Sequence, residues 1–163
     1  MQLSPQLTAR FEKLQNAYPV KRSALIPMLM YAQDEFGFIG DEMIAEIAGR
    51  LELRTVQVEE TLEYYSMLHR KPMGKNHVQV CTNVACMLRG GYDILERAKK
   101  RLEIGHKEVT KDGEFSLEEV ECIGACCWAP AIQINYDFHE NLTPAKCDAI
   151  FQMYRDGKGK DEK

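Results

Sequence analysis

Two close pairs of cysteines constrain this chain more than any other feature. Cys81 and Cys86 are spaced C-x4-C, Cys122 and Cys126 are spaced C-x3-C, and 35 residues lie between the pairs. Residues Met1 to Pro5 contain no basic segment leading into an apolar run, and Glu12 follows early. Neither a secretory signal nor a transit peptide is read there, so a cytosolic location is the expectation. In a reducing compartment, six cysteines point to metal binding or catalysis before three structural disulfides. No C-x-x-C occurs, so a thioredoxin-type dithiol is unsupported.

The sequence around the pairs says how a fold would bring them together. Val78 and Val80 alternate with Gln79 in a strand that runs into Cys81, and Phe115 with Leu117 begins a second strand that reaches Cys122. Ala131 to Asn135 is a third. Helical spacing connects the first two strands over Ala85 to Leu102, with Leu88, Tyr92, Leu95 and Ala98 on one face. Thr143-Pro144 opens a last helix that buries Cys147, Ile150, Phe151 and Tyr154. Strands and helices in this order predict a small α/β domain over 75–155. A Gly- and charge-rich tail, read as flexible, follows over 156–163.

The first 74 residues are of another kind. They hold no cysteine and read as a helical bundle. Ser4-Pro5 opens a helix with Leu7, Phe11, Leu14 and Tyr18 on one face; a second runs from Ser23 to Phe36 and stops at Gly37. Asp41 and Thr55 are read as the caps of a third and a fourth. The fold class is therefore α+β, an N-terminal helical domain (1–74) followed by the α/β domain. Lys71 to Gly74 is the linker.

Composition excludes several functions. The longest stretch free of strongly polar residues, Cys122 to Ile132, is 11 residues long and contains Gly124 and Pro130. A membrane-spanning helix needs roughly 20 apolar residues, so no membrane insertion is expected. A net charge of −4 with interspersed signs leaves no basic footprint for nucleic acid. No G-x-G-x-x-G or Walker A sequence is present; Gly157 to Lys160 only imitates a phosphate loop. His69, His77, His106 and His139 show no metal spacing, and Glu118, Glu119 and Glu121 read as a solvated strand face.

Four thiolates from two loops rich in small residues suit a [2Fe–2S] cluster, each loop holding one iron. Ala85, Gly124 and Ala125 permit backbone N–H groups to approach the sulfurs. Zinc also takes four cysteines at spacings of two to four, and plain buried or redox cysteines are a further alternative. The ligand set is Cys81, Cys86, Cys122 and Cys126. Cys147 is read as core, and Cys127 as a structural neighbour or an alternative ligand.

The segments Val80 to Gly91 and Glu121 to Cys126 resemble the thioredoxin-like [2Fe–2S] ferredoxins. More closely, they resemble the family of E subunits of bacterial NADH-quinone oxidoreductase, respiratory complex I. Phe36 to Ile39 and Val58 to Met67 resemble that family's N-terminal helical domain. The resemblance implies a thioredoxin-like domain with one [2Fe–2S] cluster on Cys81, Cys86, Cys122 and Cys126. It also implies docking against a flavoprotein that binds FMN and NADH, among other peripheral-arm subunits, at the inner face of a bacterial membrane. The chain would accept or store one electron beside that flavin and would not oxidise NADH alone. Trp128 matches a variable position and is given no role. The same module occurs in soluble NAD-linked hydrogenases and formate dehydrogenases; a zinc-stapled adaptor is the alternative from another class.

Overall fold

The computed structural model describes residues 3–159. The chain divides into two compact units, Met1–Pro72 and Met73–Lys163.

The first unit contains α1 (Pro5–Ala17), a 3-10 turn (Lys21–Ala24), α2 (Leu25–Phe36), α3 (Asp41–Leu51) and α4 (Thr55–Tyr64). Ser4 caps α1 by accepting the Leu7 N–H at 3.0 Å. Leu7, Phe11, Met28, Leu29, Ile44, Ile47, Val58 and Leu62 meet in one apolar core. Pro27 falls in the first turn of α2, because residues 21–24 form the separate 3-10 turn. Asp41 and Thr55 are first helical residues rather than caps, those places being taken by Gly40 and Arg54. At the latter, the Gln57 side chain reaches back to accept the Arg54 N–H at 3.0 Å. Gln33 clamps the segment after α4, donating to Met67 O at 2.8 Å and accepting from His69 N at 2.6 Å. Tyr65 packs on this core, whereas Tyr64 lies exposed.

The second unit is a mixed sheet with helices. Its elements are β1 (Asn76–Cys81), α5 (Val84–Leu88), α6 (Gly91–Leu102), β2 (Glu108–Val109), β3 (Phe115–Val120), a 3-10 turn (Cys126–Trp128), β4 (Ile132–Ile134), β5 (Asp137–His139) and α7 (Pro144–Arg155). The strand order is β2-β3-β1-β4-β5, with β1 and β3 parallel and the other pairs antiparallel. Val78, Val80, Phe115, Leu117, Ile132 and Ile134 point to one face, where they bury Ile94, Leu95 and Ala98 of α6 and Cys147 and Phe151 of α7. Parallel pairing of β1 with β3 requires a crossover, which α5 and α6 supply. It also sends both strands out at the same end of the sheet, so Cys81 and Cys122 emerge side by side.

Further expectations need correction in this unit. The helix read as continuous over Ala85 to Leu102 is two, because Gly90 takes φ +92° between them. Leu88 and Tyr92 consequently leave the buried face and are exposed. The short edge strands β2 and β5 carry no alternation long enough to be legible. Glu118 is buried rather than solvated: the period of two along β3 places it beside His77 and Gln79, opposite the helices. Of the expected tail, residues 156–159 fold back on α7, with Gly157 N–H donating to Tyr154 O at 3.1 Å and Lys158 N–H to Met153 O at 3.0 Å. Residues 160–163 lie outside the described residues. No helix among the described residues is long and apolar enough to cross a membrane.

Candidate metal centre

Cys81 ends β1, Cys86 lies inside α5, Cys122 follows β3, and Cys126 opens the 3-10 turn. Cys86 is thus in a helical turn, where a loop was expected. Asn83 starts that turn, its side chain accepting the Val84 N–H at 2.7 Å. The thiols associate two by two. Burial first, and then the hydrogen bond and charge of Cys81, push Cys86 up to about 11. The hydrogen bond and charge of Cys122 do the same to Cys126, in direction, with burial, Cys81 and Cys127 adding to it. Cys126 also acts on Cys86, and the pairing of Cys81 with Val120 and the 3.8 Å bond from Cys81 Sγ to Glu121 O bring the first pair beside the segment that carries the second. Among the described residues, no three His, Cys, Asp or Glu side chains form a ready-made cage for a single ion. Association in pairs is the division that a two-iron cluster requires.

The backbone supports this donor set. Gly124 N–H donates to Cys122 Sγ at 3.3 Å, and the Ala131 backbone interacts with Cys86 in the sense that favours its thiolate. Gly124 holds φ +82°, a conformation that costs a residue with a Cβ about 1 kcal/mol or more. Gly91, the first residue of α6, abuts the first pair: a Cβ there would stand 2.9 Å from the Cys86 carbonyl carbon and 3.0 Å from Cys81 O. The N-terminus of α6 therefore lies against the cysteine loop, where its partial positive charge favours thiolates.

Three further ties hold the loops in register. Arg89 Nε donates to Ala129 O at 3.0 Å. Thr82 donates its N–H to Val120 O at 3.1 Å and its hydroxyl to Glu119 Oε1 at 3.0 Å. Of these supporting residues Gly124 is legible in the sequence as a small loop residue, whereas Arg89, Thr82 and Glu119 carry no signal. The Gly90-Gly91 doublet, a signal for a break, lies inside a pattern that reads as one helix.

The pairs differ in exposure. Cys81 and Cys86 are buried, while Cys122 and Cys126 lie at the surface. Val84, Met87, Leu88 and Trp128 are exposed nearby in chain position. Cys127 is exposed and interacts with Cys126, its neighbour. Cys147 is buried on α7 among Phe151 and Leu95, away from the quartet, and burial first, then Asp148, pushes its thiol up to about 12.

Four thiols in two interacting pairs, with the Gly124 N–H and the Ala131 backbone bonded to sulfurs and the α6 terminus packed on the cysteine backbone, fit a [2Fe–2S] cluster. A family model for the thioredoxin-like [2Fe–2S] ferredoxins matches residues 11–155. The E subunit of the NADH-quinone oxidoreductase of Rickettsia bellii is 46% identical over 136 residues, covering 83% of this chain and 81% of that protein. An E subunit of the NADH-quinone oxidoreductase of Rhizobium meliloti is 41% identical over 138 residues, covering 85% and 82%. The solved structure of an air-oxidised NAD+-reducing [NiFe]-hydrogenase superimposes on 85% of this chain with a TM-score of 0.72 at 19% identity. That likeness speaks for the fold alone, and this chain spans 24% of the hydrogenase chain. On these grounds the chain belongs to the thioredoxin-like [2Fe–2S] ferredoxin family.

Proposed function

We propose that this chain is the [2Fe–2S] electron-transfer subunit of the NADH dehydrogenase module of respiratory complex I. Cys81, Cys86, Cys122 and Cys126 would be its ligands. The observation that carries the reading is the meeting of the two thiol pairs at one end of a sheet, in a chain more than 40% identical to E subunits of NADH-quinone oxidoreductases. The 19% likeness to a hydrogenase chain does not favour that host over complex I.

When bound, the cluster supplies one-electron redox chemistry, and reduction adds a negative charge to it. The chain's own groups do the rest. Burial of Cys81 and Cys86 keeps water from one side. Gly124 N–H, the Ala131 backbone and the α6 terminus offset negative charge at the sulfurs. Surface placement of Cys122 and Cys126 leaves the other side open to an electron donor. The exposed apolar residues Val84, Met87, Leu88 and Trp128 suit a protein partner.

That partner is the flavoprotein binding FMN and NADH, with other peripheral-arm subunits around it, at the cytoplasmic face of the membrane. NADH oxidation belongs to the assembled oxidoreductase, and the isolated chain is an electron carrier.

Anaerobically purified protein tests this by its visible absorption, its iron and sulfide content, and the EPR signal on reduction. Cys122→Ser should remove or alter the signal, and Cys147→Ser should leave it unchanged. A colourless protein containing zinc and no sulfide would refute the redox role. Loss of the signal in folded Cys147→Ser would refute the ligand assignment. Co-purification with a flavoprotein tests the host.

A further inference from the structure

The two cysteine pairs come from strand ends that share a ladder, but a ladder stops where the strands stop. β1 ends at Cys81 and β3 at Val120, whereas Cys122 lies two residues further on. Thr82 carries the pairing past this end. Its N–H donates to Val120 O at 3.1 Å, and its hydroxyl donates to the Glu119 carboxylate at 3.0 Å. Glu119 is itself held from the other side, its N–H donating to His106 Nδ1 at 3.0 Å. Lys99 on α6 is near enough to interact with the same carboxylate.

A hydrogen bond to an ionised acceptor is short and strong compared with a neutral one. This one joins the residue adjoining Cys81 to the residue three before Cys122. Thr82 and Glu119 hydrogen-bond to one another, to Val120 O and to His106 Nδ1. Any effect on a bound group is therefore exerted through loop geometry. Strand glutamates at sheet ends are ordinarily free in water, so the engagement of Glu119 on both its backbone and its carboxylate calls for a local reason.

We propose that Thr82 and Glu119 are a positioning pair that fixes the separation of the two cysteine pairs and thereby retains the cluster. The inference rests on the reading of Cys81, Cys86, Cys122 and Cys126 as ligands. Without the side-chain tie, Thr82 N–H to Val120 O, Arg89 Nε to Ala129 O and the long Cys81 Sγ bond to Glu121 O remain, and they hold the separation of the pairs less firmly.

The test uses the full chain reconstituted anaerobically, with cluster loss followed by visible absorption under a chelator. Thr82→Val removes the donor with little change of shape and should speed the loss about tenfold, the scale on which supporting groups around metal ligands act. Glu119→Ala should match it, and the double variant should be no faster than either single, since both remove one interaction. Thr82→Ser, which keeps the hydroxyl, should stay within about twofold of the unaltered chain, as a role in bulk packing would not allow. Melting of the metal-free chain should fall by a similar small amount in Thr82→Val and Glu119→Ala, the cost of one hydrogen bond, and should hold in Thr82→Ser.

Loss at the unaltered rate in both Thr82→Val and Glu119→Ala would overturn the proposal. So would effects that multiply in the double variant, or a Thr82→Ser chain as leaky as Thr82→Val. Failure of the unaltered chain to take up any cluster would instead overturn the ligand reading, and this inference with it.

Discussion

A single methyl group at Gly91 tests whether α6 is seated against the first cysteine pair. Gly91 does not adopt a left-handed conformation, so no backbone strain attends Gly91→Ala. At an unencumbered helical position the change would stabilise by about 0.4–1 kcal/mol through the unfolded chain. Here the new carbon would meet Cys86 C and O at 2.9 Å and Cys81 O at 3.0 Å. Comfortable contacts between such atoms lie near 3.5–4.0 Å, and backbone atoms cannot rotate away as a side chain could. Overpacking of this kind costs about 1–3 kcal/mol. The steric term wins, leaving a net loss centred on about 1.3 kcal/mol and a fall in melting temperature of roughly 5–10 °C for a unit of this size.

Thermal melts of the metal-free chain and cluster uptake after reconstitution are the measurements. Gly49→Ala is the matched control, since Gly49 sits within α3 with nothing inside 4 Å of a new Cβ and should gain about 0.5–1 kcal/mol. If Gly91→Ala melted at or above the unaltered temperature and took up cluster normally, the seating of α6 on the cysteine loop would be refuted.

The remaining expectations concern two buried titratable groups. The Cys147 thiol keeps its proton up to about 12 in the folded chain, against an ordinary value of 9.0. Stability from this source is complete below 9.0 and is lost as pH rises from there to about 12, at about 1.4 kcal/mol per pH unit per proton. Cys147→Ala should flatten that alkaline decline in denaturant titrations at several pH values; an unchanged slope would contradict the burial argument. Glu118 behaves oppositely. Burial would raise it, but the hydrogen bond and charge of His77, with Gln79 and Lys107, hold it below its ordinary 4.5. Its contribution is present above 4.5 and lost as pH falls through the folded value. Glu118→Ala should cost about 1–3 kcal/mol near neutrality, because His77 Nε2 and Gln79 Nε2 lose a shared acceptor. The difference from the unaltered chain should shrink in acid, and a constant difference would count against the pairing.

Much of this protein was decided within short stretches of chain. Ser4-Pro5, Thr143-Pro144 and Gly37 mark helix ends because capping and left-handed termination are local chemistry. The alternation of Val78 with Val80 and of Phe115 with Leu117 marks two core strands for the same kind of reason. The spacing of Cys81, Cys86, Cys122 and Cys126 declared two close thiol pairs and the chemistry they suit.

Tertiary structure decided what depends on residues far apart. Parallel pairing of β1 with β3 brings the two pairs together, although 35 residues separate them. That pairing turns Glu118 from an expected solvated residue into a buried partner of His77, and gives Glu119 its bond to Thr82. Folding also exposes one thiol pair while burying the other. Local sequence carries propensity and spacing. Burial, close approach and the partner of each charge come from contacts between strands that only folding brings side by side.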